Sequence, residues 1–163
     1  ISDETSLSFT TLDIVAPTLA STAPADDDPG INVDANIVLT FDENVQAGTG
    51  NITLFKSDNT QVEVFDVTTD VTISGATVTL DPASDLDSLQ GYYVQVASTA
   101  IQDTSNNAYA GISDTTTLSF TAADIAAPTL TSSSPADDAT GVAVNSNIVL
   151  TFNENVQAGT GNI

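Results

Sequence analysis

The sequence predicts an all-β chain of immunoglobulin-like β-sandwich modules in tandem, and three observations carry that prediction. Short apolar runs alternate with polar residues at period two, the pattern of half-buried strands. Seven or eight such runs fall between residues 15 and 123, separated by Gly-, Asp- and Pro-bearing turns, which is the strand density of a two-sheet sandwich. The sequence also repeats itself: "NIVLTFDENVQAGTGNI" at 36–52 returns as "NIVLTFNENVQAGTGNI" at 147–163, changed only at Asp42 against Asn153. Laying residue 1 on residue 112 gives an ungapped offset of 112 − 1 = 111, with 37 of 52 overlapped positions identical. That period exceeds the roughly 20 to 50 residues of a solenoid repeat and equals one small domain.

The strands follow in order. "TLASTA" (18–23), "IVLTF" (37–41), "ITLFK" (52–56) and "VEVFDV" (62–67) come first, then "VTI" (71–73), "TVTL" (77–80), "YYVQVA" (92–97) and "TLSFTA" (117–122). β-Branched residues dominate them, and the alternation predicts antiparallel pairing with one face inward. In "IVLTF" the inward set is Ile37, Leu39 and Phe41; in "YYVQV" it is Tyr92, Val94 and Val96. "DSL" near Ser88 reads as a short helical turn crossing between the sheets. "QAGTGN" at 46–51 has no Lys and no following helix, so it reads as a hairpin or interstrand loop instead of a phosphate loop. An up-and-down barrel is the alternative closure.

The repeat sets the domain boundaries. Residues 1–14 read as the last strand and linker of a preceding repeat, 15–123 as a complete repeat, and 124–163 as the first part of the following one. The expectation is a window from a longer array. At the boundaries, "DIVAPTL" (13–19) and "DIAAPTL" (124–130) contain Pro and no Gly. Proline fixes its own φ and holds the preceding Ala16 or Ala127 extended, so a short, stiff linker is expected.

Composition narrows the function. Twenty-two acidic side chains against one base, Lys56, give a net charge of −21. That field repels phosphate backbones and anionic lipid and attracts divalent cations, so no nucleic-acid partner and no membrane insertion are expected. No apolar run reaches bilayer-spanning length. With neither Cys nor His, disulfides, zinc sites and imidazole or thiolate catalysis have no residues to work with. The acids read as loop or exposed strand face, with no aromatic cleft of the kind glycoside hydrolysis requires. The expectation is that the chain is not an enzyme.

Two longer stretches carry a resemblance. "APADDDPGINVDANIVLTFDENV" (23–45), with its partner at 134–156, resembles the opening of bacterial Ig-like domains of the SbsA type. "LQGYYVQVASTAIQDTSNNAYAG" (89–111) is similar to that family's Tyr-x-Val-x-Val strand followed by Asp-x-x-Gly-Asn, and "LSFT" (118–121) to its closing strand. Asn106 stands where the family has Gly; Asn is the next residue best suited to left-handed backbone, so the turn is expected to survive. The resemblance implies a repeated extracellular module of S-layer proteins and large surface adhesins, without catalytic activity, and allows calcium at or near module junctions.

The acids in loops and junctions are the candidate calcium ligands: Asp13, Glu43, Asp103, Asn106, Asp124 and Glu154. Calcium takes about 6 to 8 oxygens in irregular geometry, which loops rich in Asp and Asn supply. Asp13, Glu43 and Asp103 are expected to gather at one end of the sandwich. The competing reading is turn formation and solvated charge, with a saline habitat screening the acids. Two functions follow. The first is a stiff spacer on the bacterial surface, in an adhesin, filament or layer, whose partners are neighbouring repeats and other copies. The second is a glycan- or protein-binding module, for which Tyr109 is the one exposed-aromatic candidate.

Overall fold

The computed structural model describes residues 9–160. The strand expected within 1–14 falls largely at residues 1–8, outside the described residues. By contacts the chain forms two compact units, Ile1–Asp124 and Ile125–Ile163. Every regular element among the described residues is a strand, and no helix there is long and apolar enough to cross a membrane.

The first unit contains β1 (Leu19–Ala23), β2 (Asp28–Ile31), β3 (Ile37–Phe41), β4 (Val45–Ala47), β5 (Asn51–Lys56) and β6 (Gln61–Asp66). It continues with β7 (Val71–Ser74), β8 (Thr77–Leu80), β9 (Gly91–Val96), β10 (Ile101–Asp103) and β11 (Ser119–Ala122). One sheet has the order β1-β3-β8-β7 and the other β2-β11-β9-β5-β6, with β10 and β4 pairing as a separate ribbon. The core lies between the sheets. Ile37, Leu39, Phe41, Val78 and Leu80 come from the first; Ile52, Leu54, Phe65, Tyr92, Val94, Val96 and Phe120 come from the second. Both inward sets read from the alternation are buried, as period-two geometry requires.

Four features depart from the sequence reading. β2, β4 and β10 are absent from the strands that alternation predicts, because Pro29 and Gly30 interrupt β2 and the other two are three residues long. β2 pairs with β11 in parallel, not antiparallel. The stretch at Ser88 makes a tight turn instead of a helical one: the Gln90 amide donates to the Asp87 carbonyl at 3.2 Å, and Leu89 takes a φ of 58°. Tyr93 is buried although it lies on the outer face. Its ring stacks on Phe55 with centroids 5.1 Å apart, and its hydroxyl meets Asn59 Oδ1 at 3.0 Å.

The "QAGTGN" loop joins β4 to β5 and so passes between two different sheets. The Gly48 amide donates to the Ala100 carbonyl at 2.8 Å and the Thr49 amide to the Thr99 carbonyl at 2.7 Å. Backbone lies against backbone there. A Cβ on Gly48 would overlap the Thr99 carbonyl oxygen and crowd that of Ala100 at 3.2 Å.

The second unit contains β12 (Leu130–Ser134) and β13 (Val149–Phe152), paired antiparallel. Leu130 faces Phe152 as Leu19 faces Phe41, with the same register shift one residue on. Asp27 and Asp138 have φ of 60° and 59°, and Gly30 and Gly141 of 70° and 71°. These left-handed positions coincide although Asp28-Pro29 is replaced by Ala139-Thr140 between them.

Gly48→Ala is expected to lower unfolding stability by about 1–3 kcal/mol, the usual cost of overpacking a tight site. Urea unfolding of the chain measures it; a midpoint equal to the parent's would mean the two backbones do not approach as described.

Candidate functional site

The site is built at the end of the first unit, where the segment before β1, the loop between β3 and β4, and the end of β10 converge. Carboxylate oxygens of Asp13, Glu43 and Asp103, one from each segment, all lie within 4.8 Å of one another. Asp13 is exposed, Glu43 half-buried and Asp103 fully buried.

Asp103 organises the turn. Its Oδ1 accepts the amides of Ser105 at 2.8 Å and Asn107 at 2.7 Å, and its Oδ2 accepts Asn107 Nδ2 at 2.7 Å. Burial pushes its carboxyl up, but the Asn107 side chain and the Asn107, Ser105 and Asn106 backbone hydrogen bonds outweigh it and hold the pKa below the usual value. Asn106 takes the left-handed conformation at φ 70°, the position where Gly was expected. Its Oδ1 accepts Gln46 Nε2 and Gln102 Nε2, each at 3.3 Å. The same Asn107 Nδ2 also reaches the Asp13 carbonyl at 3.2 Å, so one carboxamide links the turn to the segment before β1.

A second tie secures that segment. The Thr18 amide and hydroxyl both donate to the Asp42 carboxylate, each at 2.7 Å, and the Asp42 amide donates back to the Thr18 carbonyl at 3.1 Å. The Thr18 backbone and side-chain bonds hold Asp42 below its ordinary pKa. In the second unit Asn153 stands in that place: the Thr129 amide donates to its Oδ1 at 2.6 Å, and its amide returns to the Thr129 carbonyl at 3.0 Å. A carboxamide oxygen accepts the backbone amide as a carboxylate does.

Glu43 is the strained member electrostatically. Desolvation first, then the negative charges of Asp103, Asp13 and Asp42, raise its pKa above the ordinary 4.5. No base relieves this: Lys56 is the sole one in the sequence, and it pairs with Asp87 at 2.5 Å.

The donor set suits a hard divalent cation. All ligands are oxygens, and oxygens within 4.8 Å of one another are spanned by one calcium with bonds of about 2.3–2.6 Å. Of the remaining sequence candidates, Asp124 Oδ1 accepts the Ser88 hydroxyl at 3.3 Å, and Glu154 lies just after β13 in the second unit. The repeat counterpart of Asp103 would be 103 + 111 = 214, past the 163 residues here. The loop acids Asp26 and Asp27 serve β11: both accept the Ser119 hydroxyl at 3.0 Å, and Asp26 also accepts its amide at 2.9 Å. Gln46, which donates to the Asp103 carbonyl at 2.8 Å, escaped the sequence reading. Nothing in its local pattern marks a side chain that reaches 57 residues ahead.

Tyr109 is not an exposed platform. It is 8% exposed and packs edge-on to Phe41, with centroids 5.2 Å apart. The aromatic candidate for glycan stacking therefore belongs to the core, packed against Phe41 of β3.

The family model described as bacterial Ig-like domain matches residues 13–122 and again 124–163. No curated protein matches the chain significantly. Among solved structures, CopC from Methylosinus trichosporium OB3b is similar at 14% identity and TM-score 0.44, over 68% of this chain and 97% of that one. The S-layer protein rSbsC (residues 31–844) is similar at 18% identity and TM-score 0.44, over 73% of this chain and 16% of that one.

A carboxyl whose folded pKa is raised favours folding while protonated, so the Glu43 contribution is greatest below 4.5 and is lost as pH rises through the folded value. In chelator, Glu43→Gln is therefore expected to raise the melting temperature at pH 7 and to have little effect at pH 4, below the ordinary 4.5. Thermal melts at the two pH values check it; a variant less stable than its parent at pH 7 in chelator would refute the charge crowding.

Proposed function

The chain belongs to the bacterial Ig-like domain family, and from that premise we propose that it is a structural repeat of an extracellular bacterial surface protein, a stiff spacer in an adhesin, filament or layer. The observation that carries the reading is the fastening of the segment before β1 to the body of its unit. Thr18 and Asp42 hold it by three hydrogen bonds, and Asn107 holds it at the Asp13 carbonyl. A spacer needs such fastening, since free rotation at each boundary would turn length into coil.

Calcium bound by Asp13, Glu43 and Asp103 would remove the repulsion that raises Glu43 and add a third fastening. Asp13 would bring the segment before β1, Glu43 the loop after β3, and Asp103 the end of β10. In this reading the partners are neighbouring repeats of the same chain and other copies in a filament or layer. The role is mechanical, not catalytic. A spacer is preferred over a glycan-binding module because Tyr109 is packed against Phe41.

A ligand that binds only the folded state stabilises it by RT ln(1 + [L]/Kd), about 2.7 kcal/mol at a hundredfold excess over Kd. Millimolar calcium is expected to raise the melting temperature of the chain in low salt, EDTA to reverse it, and Asp13→Asn to abolish the increment. Equal melting temperatures with calcium and EDTA would remove the metal. Small-angle scattering from two complete consecutive units tests the spacer itself: a maximum dimension near twice that of one unit supports it, and a broad distribution of shorter distances sinks it.

A further inference from the structure

We propose that Asn51 is an acceptor for N-linked sugar, with the attached residue seated in the groove beside it on the outer face of the five-stranded sheet. The proposal is independent of the calcium reading. Asn51-Ile52-Thr53 is an Asn-x-Thr sequence, and no other Asn with two residues after it has Ser or Thr at that spacing. Asn51 opens β5 and is exposed, whereas Ile52 and Leu54 point into the core. Alternation therefore puts Asn51 and Thr53 on the same outward face, the amide and the hydroxyl two residues apart and both facing away from the core.

The surroundings suit a saccharide. Thr53 lies opposite Gln95 of β9. Asn51, Thr53, Gln95, Ser98 and Ser113 form the polar side of a groove of about 510 Å³ whose remaining wall is apolar, within the size range that holds a small ligand and able to take both the hydroxyls and the C–H face of a sugar ring. Gln95 is already oriented, since its Nε2 donates to the Ser113 carbonyl at 2.9 Å. The hydroxyls and carboxamides there are neutral donors and acceptors, which sugar hydroxyls pair with and which the many carboxylates elsewhere do not supply. Gly50 before Asn51 has no side chain to crowd the approach, and its φ of 122° reserves the position for Gly.

The reaction is a substitution at the anomeric carbon of a diphosphate-activated sugar. Asn51 Nδ2 forms the new C–N bond, the C–O bond to the diphosphate breaks, and one amide proton passes to a base on the transferase. No oxidation or reduction is involved. The donor is either a nucleotide-diphosphate hexose or a lipid-diphosphate oligosaccharide.

The test treats the whole chain with a soluble N-glycosyltransferase and a nucleotide-diphosphate hexose, and separately with a membrane oligosaccharyltransferase and its lipid-linked donor, followed by peptide mass mapping. The expected result is sugar on Asn51 from one of the two, which identifies the donor class. Thr53→Val should reduce occupancy about tenfold and Thr53→Ser preserve it, as an acceptor read through its hydroxyl requires. Absence of sugar with both donors, on folded and on urea-unfolded chain, overturns the proposal. So does occupancy that Thr53→Val leaves unchanged. If only unfolded chain is modified, refolding decides: recovery of the parent's melting temperature supports the site, and failure to refold refutes it.

Discussion

A chain with one basic side chain has to settle its carboxylates on neutral donors, and that constraint runs through the whole structure. Asp42 rests on Thr18, Asp58 on Thr60, Asp66 on Thr68, Asp114 on Thr116 and Thr117, and Asp103 on Ser105 and Asn107. Each takes a backbone amide, and most take a hydroxyl as well. Hydrogen bonds to a carboxylate favour its charged form, and Asp114 is held down to about 2 by the Thr116 backbone, the Thr117 hydroxyl and the Thr117 backbone. The alternating strands supply Thr in quantity, because it suits a pleated surface. The residues that make the sheets thus also make the loops tolerable for so much negative charge. Glu43 is the exception: partial burial first, and then the neighbouring charges of Asp103, Asp13 and Asp42, push it up.

Most of the fold was legible because period-two alternation speaks directly about burial. Ile37, Leu39 and Phe41, and Tyr92, Val94 and Val96, were assigned inward by parity alone, and each is in the core. The strands that stayed hidden lack that signal. β4 and β10 are three residues each, too short for alternation to register, and β2 carries Pro and Gly that speak for a turn. Its parallel partner β11 lies about 90 residues away, and no local pattern reports a pairing at that distance. Tyr93 shows the limit of parity: it points outward yet is buried, because Phe55 on the neighbouring strand covers it.

The candidate site was legible in part for a different reason. Asp13, Glu43 and Asp103 were grouped because linker, early loop and late turn of a sandwich can gather at one end, which is topology rather than spacing. Their mutual approach to within 4.8 Å depends on Asn107 reaching both Asp103 and Asp13, a bridge across 94 positions. The Asp42 and Asn153 difference is the lone mismatch in seventeen residues, and its meaning lies in the long-range bonds to the Thr18 and Thr129 amides, which no local pattern reports. Tyr109 failed as a surface candidate because a Tyr in a loop sequence gives no sign that Phe41 stands behind it.

That mismatch has a wider consequence. Because the backbone amide of Thr18 or Thr129 needs only an oxygen, the two units keep the same joint while differing there by one unit of formal charge. Electrical character is thereby uncoupled from geometry at this position. The position is free to carry a carboxylate or a carboxamide, and the mould that casts the backbone around it stays the same.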